Sequence, residues 1–148
     1  MGPRAAPNPA LASLGQINGA KVWALDYRLV ASVIAGVGPA IAELGLEVKE
    51  LLLLAEVEAF PHPAALAGRL CMPKPTVTVY VKRLEAAGLL ERSIDPTDLR
   101  RHRLTMTAAG RRTVSRGVAL LEGAFEERFG RLDHAEQAEF RRLLEKMG

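Results

Sequence analysis

The chain has a single cysteine, Cys71, among its 148 residues. No intrachain disulfide can form, which fits a reducing compartment such as the cytoplasm. Histidine is also scarce: His62, His102 and His134 are scattered, with no cysteine or carboxylate at metal-ligand spacing, so no metal site is expected. The one glycine-dense stretch, Gly36-Val37-Gly38-Pro39, lacks the lysine that follows a phosphate-binding loop. No serine or cysteine stands in a nucleophile context. These absences argue against an enzyme and against a resident cofactor. Long apolar runs are missing too. The longest uncharged apolar stretch, Leu29 to Ala42, is 14 residues, short of the roughly 20 that a membrane span requires. Pro3, Pro7 and Pro9 interrupt any apolar core of a signal peptide, so neither secretion nor a membrane partner is expected.

What is present is ordinary in amount and uneven in placement. Hydrophobic residues make up 49% and charged residues 25%, the proportions of a globular protein, and the length suits one compact domain. The formal net charge is +3. Residues 69–116 hold eleven Lys and Arg against four Asp and Glu, which leaves the rest of the chain mildly acidic. Positive charge concentrated on one segment suits a polyanion partner.

Residues 1–12 are rich in Pro and Ala and read as a mobile tail. A helix starting between Leu14 and Gly19 is expected to run to about Leu44, with Trp23, Tyr27, Val30 and Ile34 on one apolar stripe and a kink or break near Val37 caused by Pro39. A second helix spans about Val48 to Ala59; its Leu51-Leu52-Leu53-Leu54 run makes it central. A third spans about Pro63 to Leu70. After residue 107, Val114, Val118, Leu121, Phe125, Phe129 and Leu132 form a long amphipathic stripe. Asp133 and Glu136 form a capping-box start for a last helix bearing Phe140, Leu143, Leu144 and Met147. The first and the last two helices carry more apolar surface than so small a body can bury, which argues for a homodimer.

Between these helices lies the most informative stretch, residues 74–107. Val77, Val81 and Leu84 recur at helical spacing, and Gly88 ends the helix. The opposite face carries Thr78, Val79 and Lys82, flanked by Thr76 and Arg83. Two short strands are expected at Leu90–Asp95 and His102–Thr107, joined through Asp95-Pro96-Thr97-Asp98 with a basic tip at Arg100-Arg101-His102-Arg103. A helix with small hydroxyl side chains facing out, followed by a basic hairpin, is what a winged helix-turn-helix uses to touch double-stranded DNA. The fold class expected is mainly α with a small β-wing.

The run Gly88-Leu89-Leu90-Glu91-Arg92, with Asp95-Pro96, Asp98-Leu99-Arg100, Leu104-Thr105-Met106-Thr107 and Gly110-Arg111, resembles the wing of MarR-family transcription regulators. Leu66 to Leu70 and Lys74 to Thr78 resemble that family's helix-turn-helix. The resemblance implies a homodimeric repressor. Residues 13–44 and 108–148 would form the dimerisation helices, and residues 45–107 the DNA-binding region. It also implies that Arg100 enters the minor groove with Asp98 holding it. Lys74 and Lys82 are candidates for phosphate contacts, Thr76 and Thr78 for base edges, and Arg101 and Arg103 for the backbone. The family often has Arg where this chain has Val79, which shifts readout toward thymine methyls. Regulators of this kind commonly respond to a small-molecule effector. Trp23, Tyr27 and Arg28 are candidates to line its pocket, and an arginine near aromatic rings suits an aromatic carboxylate. Core packing with a surface arginine accounts for the same three residues. Cys71 is either a redox-sensing thiol or a buried inert one. A winged-helix module for protein–protein contact is the remaining alternative.

Overall fold

The computed structural model describes residues 19–148. The described residues form six helices and one two-stranded sheet: α1 (Gly19–Ala42), α2 (Val48–Glu56), α3 (Pro63–Arg69), α4 (Lys74–Ala86), β1 (Leu90–Asp95), β2 (Asp98–Met106), α5 (Ala108–Phe129) and α6 (His134–Met147). The expected tail at 1–12 and the start of the first helix before Gly19 lie outside the described residues.

One core organises the middle of the chain. Leu51, Leu53 and Leu54 of α2, Leu66 of α3, Val77, Val81 and Leu84 of α4 and Leu104 of β2 are all almost fully buried against one another. The end of α1 joins this core through Val37 and Ile41. The period of four and three that places Val77, Val81 and Leu84 inward leaves Thr78, Val79 and Lys82 outward, so the inner face of α4 fixes the direction of the outer one. Gly88 takes φ +70°, a left-handed turn that lets the chain reverse into β1. Thr107 caps α5, accepting from the Gly110 amide at 3.0 Å while its hydroxyl donates to the Gly88 carbonyl at 2.7 Å. Asp133 and Glu136 exchange side-chain-to-backbone bonds of 2.9 Å each, the expected capping box.

Three features of the helices refine the sequence expectation or depart from it. First, α1 runs through Pro39 as one helix, without the break that was one of the two expected outcomes. Proline removes one backbone donor, but Val33, Val37 and Ile41 are buried on both sides of it and hold the helix in place. Second, the apolar stripe Trp23, Tyr27, Val30 and Ile34 faces outward in the single chain: these side chains are 66%, 61%, 49% and 40% exposed. The buried stripe lies beside it, at Val33, Val37 and Ile41. Third, α2 ends at Glu56, short of Ala59. By length and composition α1 is also long and apolar enough to cross a membrane. The 14-residue estimate stopped at Arg28, whereas the helix continues past it to Gly19. In the fold α1 packs against α2 and α5.

Helix α6 has no buried residue, and α5 buries only Gly110 and Gly117. Val118, Leu120, Leu143, Leu144 and Met147 remain exposed. The apolar surplus expected from the sequence is therefore present on α1, α5 and α6 of the single chain.

Candidate nucleic-acid interface

The reading surface is built from α4 and the sheet. Pro73 precedes α4 with an extended backbone, and no side chain caps the first turn. The unsatisfied N–H groups and the dipole of that turn favour an anion. Lys74 stands at this end, exposed, and Lys82 lies two turns further along the same outward side. Thr76 is half-buried, while Thr78 and Val79 face solvent. The Thr78 hydroxyl donates to the Lys74 carbonyl at 3.0 Å. Its oxygen keeps acceptor capacity, and the residue is exposed. With the Val79 methyls this makes an outward patch suited to thymine methyls.

Arg83 does not join this surface. Its guanidinium donates to Glu47 at 2.9 Å and to Glu50 at 3.2 Å. The expected DNA role gives way because two carboxylates from the start of α2 already hold the side chain. Glu50 also accepts from the Glu47 amide at 2.9 Å, and Tyr80 donates its hydroxyl to Glu47 at 3.4 Å. Burial and the Glu47 charge push the Tyr80 phenol above its ordinary value.

The wing departs from the expectation in shape. The turn lies at Pro96-Thr97, and β2 begins at Asp98 rather than at His102. Antiparallel pairing runs from Leu90↔Met106 to Ile94↔His102, then jumps to Asp95↔Asp98. Leu99, Arg100 and Arg101 therefore face a single step of β1 and bulge from the ladder. The arginines project because the strand is bulged, not because they sit in a tip loop. Asp98 does not hold the Arg100 guanidinium. Its Oδ1 accepts from the Arg100 backbone amide at 3.1 Å, an Asx turn that fixes the bulge and leaves the side chain exposed. Arg101 and Arg103 are exposed as well.

Sequence reading missed what ties the wing to the head. His62, before α3, places Nδ1 3.1 Å from the His102 carbonyl and Nε2 3.3 Å from the Asp95 carboxylate. The Leu104 amide donates to the Pro61 carbonyl at 2.7 Å. Asp95 is buried and accepts from the Thr97 hydroxyl at 2.6 Å and the Thr97 amide at 2.8 Å. These bonds, the hydroxyl first, hold its carboxyl below the ordinary value, with the His62 and Arg103 charges adding to them. Only the Asp95-Pro96-Thr97 turn was legible beforehand; the partners of His62 lie more than thirty residues away.

The effector and redox candidates fare differently. A cavity of about 770 Å³ lies between α1, α2, α5 and α6, walled by residues that include Val33, Ile34, Leu52, Leu121, Phe125 and Phe140. Trp23, Tyr27 and Arg28 do not line it; Trp23 and Tyr27 stack on each other at 5.6 Å on the exposed stripe of α1. Trp23 and Tyr27 share a stripe with the lining residues Val30 and Ile34 but stand nearer the start of α1, outside the cavity wall. Cys71 is exposed, not buried, with φ +51° in the turn before α4. Arg69, near it in sequence, is turned to Glu56 at 3.3 Å and over the Phe60 ring at 5.5 Å.

Comparison with known proteins agrees with this geometry. The MarR family model matches residues 48–102. The HTH-type transcriptional repressor Rv2887 of Mycobacterium tuberculosis is 30% identical over 137 residues, covering 91% of this chain and 99% of its own length. The crystal structure of Rv2887 in complex with DNA superposes with a TM-score of 0.70 at 28% identity, over 90% of this chain and 99% of that one. Its complex with salicylic acid gives a TM-score of 0.68 at 31% identity, over 84% and 93%.

Proposed function

The chain belongs to the MarR family, and from that premise we infer a homodimeric, sequence-specific DNA-binding repressor that works without catalysis, in the cytoplasm. The observation that carries this reading is a set of solvent-facing side chains on two elements, α4 and β2, both tied to β1. The set comprises the outward face of α4 (Lys74, Thr76, Thr78, Val79 and Lys82) and the bulged arginines of β2. Helix α4 enters a major groove. Lys74 and Lys82 neutralise phosphates, while Thr76, Thr78 and Val79 meet base edges and thymine methyls. Arg100 reaches the adjacent minor groove, and Arg101 and Arg103 lie along the backbone. Arg83 and Asp98 act through contacts within the chain: one ties α4 to the start of α2, the other shapes the bulge.

Residues 45–107 form the reading head. Helix α1 together with residues 108–148 supplies the dimer contact, which accounts for the exposed apolar faces of α1, α5 and α6. Each head reads one half of a pseudo-palindrome, with half-sites about one helical turn, roughly 34–36 Å, apart. Release follows from a small molecule in the cavity between α1, α2, α5 and α6. Such a molecule shifts the dimer only by binding better to the shape that fits DNA worse. That the relative Rv2887 has been crystallised with both DNA and salicylic acid supports a regulator of this kind.

Footprinting of the protein on its own upstream DNA tests the reading. Two protected half-sites about one turn apart are expected. A single protected half-site, or none on any genomic fragment, would overturn it.

A further inference from the structure

The chemistry of the cavity selects its occupant. Among the described residues that line it, the ionisable ones are Asp26 of α1 and Glu122 of α5; no lysine, arginine or histidine lines it. The remaining wall is apolar, with Phe125 and Phe140 on one side. These rings belong to an aromatic run: Phe125 stacks on Phe129 at 5.3 Å, and Phe129 meets Phe140 at 6.0 Å with a 53° tilt. Arg128 of α5, three residues from Phe125, donates to the Ser32 hydroxyl, the Ser32 carbonyl and the Ala124 carbonyl.

We propose that the cavity binds an apolar aromatic amine in its ammonium form, with the ring system among the aliphatic side chains and the charge set between the carboxylates and the phenylalanine rings. Three arguments support this choice. A carboxylate ligand would approach two like charges and meet no cation among the described lining residues, so its charge would be repelled rather than paired. An ammonium is attracted both by the carboxylates and by the negative faces of the aromatic rings. The volume of about 770 Å³ falls within the range of sites that enclose a multi-ring small molecule. This inference rests on the effector-controlled regulator reading and names its ligand class. It departs from the aromatic carboxylate expected when Arg28 was taken as a lining residue.

A matched series separates the outcomes: an anthracenyl methylamine, the corresponding methanol and the corresponding carboxylic acid, titrated into the full chain by ring fluorescence. The amine is expected to bind at least tenfold more tightly than the acid, with the alcohol between them. Asp26→Asn combined with Glu122→Gln keeps the shape and removes the charge. In that variant the amine should fall to the level of the alcohol, and retained alcohol binding shows that the cavity persists. Equal or tighter binding of the acid overturns the proposal. So does failure of all three to bind, the result expected if a second copy of the chain fills the cavity. DNA binding measured on the same preparation keeps the two readings apart: selective DNA binding with no amine preference overturns the ligand class alone, whereas loss of selective DNA binding overturns the regulator itself.

Discussion

Arg83 of the reading helix donates to Glu47, the residue that opens α2, at 2.9 Å. A basic side chain on the recognition helix of a DNA-binding protein is thereby paired, at the surface, with a neighbouring helix. Val48, next to Glu47, lines the effector cavity, so the same turn of α2 touches both the cavity and α4. Replacing Arg83 by Ala should lower Tm and leave the slope of log K against log salt unchanged, because no phosphate contact is lost. A salt slope that falls by about one on this substitution would make Arg83 a phosphate contact after all.

The wing arginines should divide by role. Arg100→Ala is expected to cost roughly 1–3 kcal/mol of operator binding and to relax sequence preference. Arg101→Ala and Arg103→Ala should weaken all duplexes alike and reduce the salt slope by about one each. Titration of the variants on operator and scrambled duplexes at several salt concentrations checks both statements. Wild-type affinity in Arg100→Ala would remove that residue from the interface.

Gly110 tests the junction of wing and dimer helix. A Cβ there would lie 2.2 Å from the Leu89 carbonyl oxygen and 2.7 Å from Met106 Cγ. The first neighbour is backbone and cannot turn aside. Gly110→Ala should destabilise the fold by about 1–3 kcal/mol, the usual range for overpacking, measured by urea unfolding. Gly123→Ala, where nothing lies within 4 Å of the added atom, is the control and should not lose stability.

Asp95 supplies a pH dependence with a definite sign. The Thr97 hydroxyl and amide hold its folded-state value below the ordinary one. The stabilisation is then present above the unfolded value of about 3.9 and is lost as pH falls through the lower folded value. Thermal unfolding followed down the acid range should show a steeper fall for wild type than for Asp95→Asn below about pH 4. Parallel curves would mean that the carboxylate contributes nothing through its charge.

Much of the reading head was legible in the sequence because its rules are local. The period of Val77, Val81 and Leu84 fixed the outward face of α4, and Gly88, Thr107 and Asp133 marked element ends through backbone chemistry. What was not legible depended on distant partners. Arg83 looked available until Glu47 and Glu50 were brought to it. His62 gave no signal, since its partners come from both strands of the wing. On α1 two apolar stripes lie side by side, and helical spacing alone does not say which one meets the core. Trp23, Tyr27 and Arg28 were pocket candidates for their chemistry, an arginine beside aromatic rings, and that chemistry does not say where along α1 the cavity lies. The bulge at Leu99 to Arg101 was likewise hidden, because strand register is set by pairing and not by the strand's own composition.

The central claim is tested most directly by fluorescence anisotropy of the purified protein on its own upstream duplex and on a scrambled duplex of equal length. Wild type and Arg100→Ala are compared side by side at low and at physiological salt. The account predicts a strong preference of wild type for the upstream duplex, affinity falling steeply with salt, and a preference that largely disappears in Arg100→Ala. Equally weak binding of wild type to both duplexes, unchanged by the substitution, would contradict it and leave the basic wing to a protein partner.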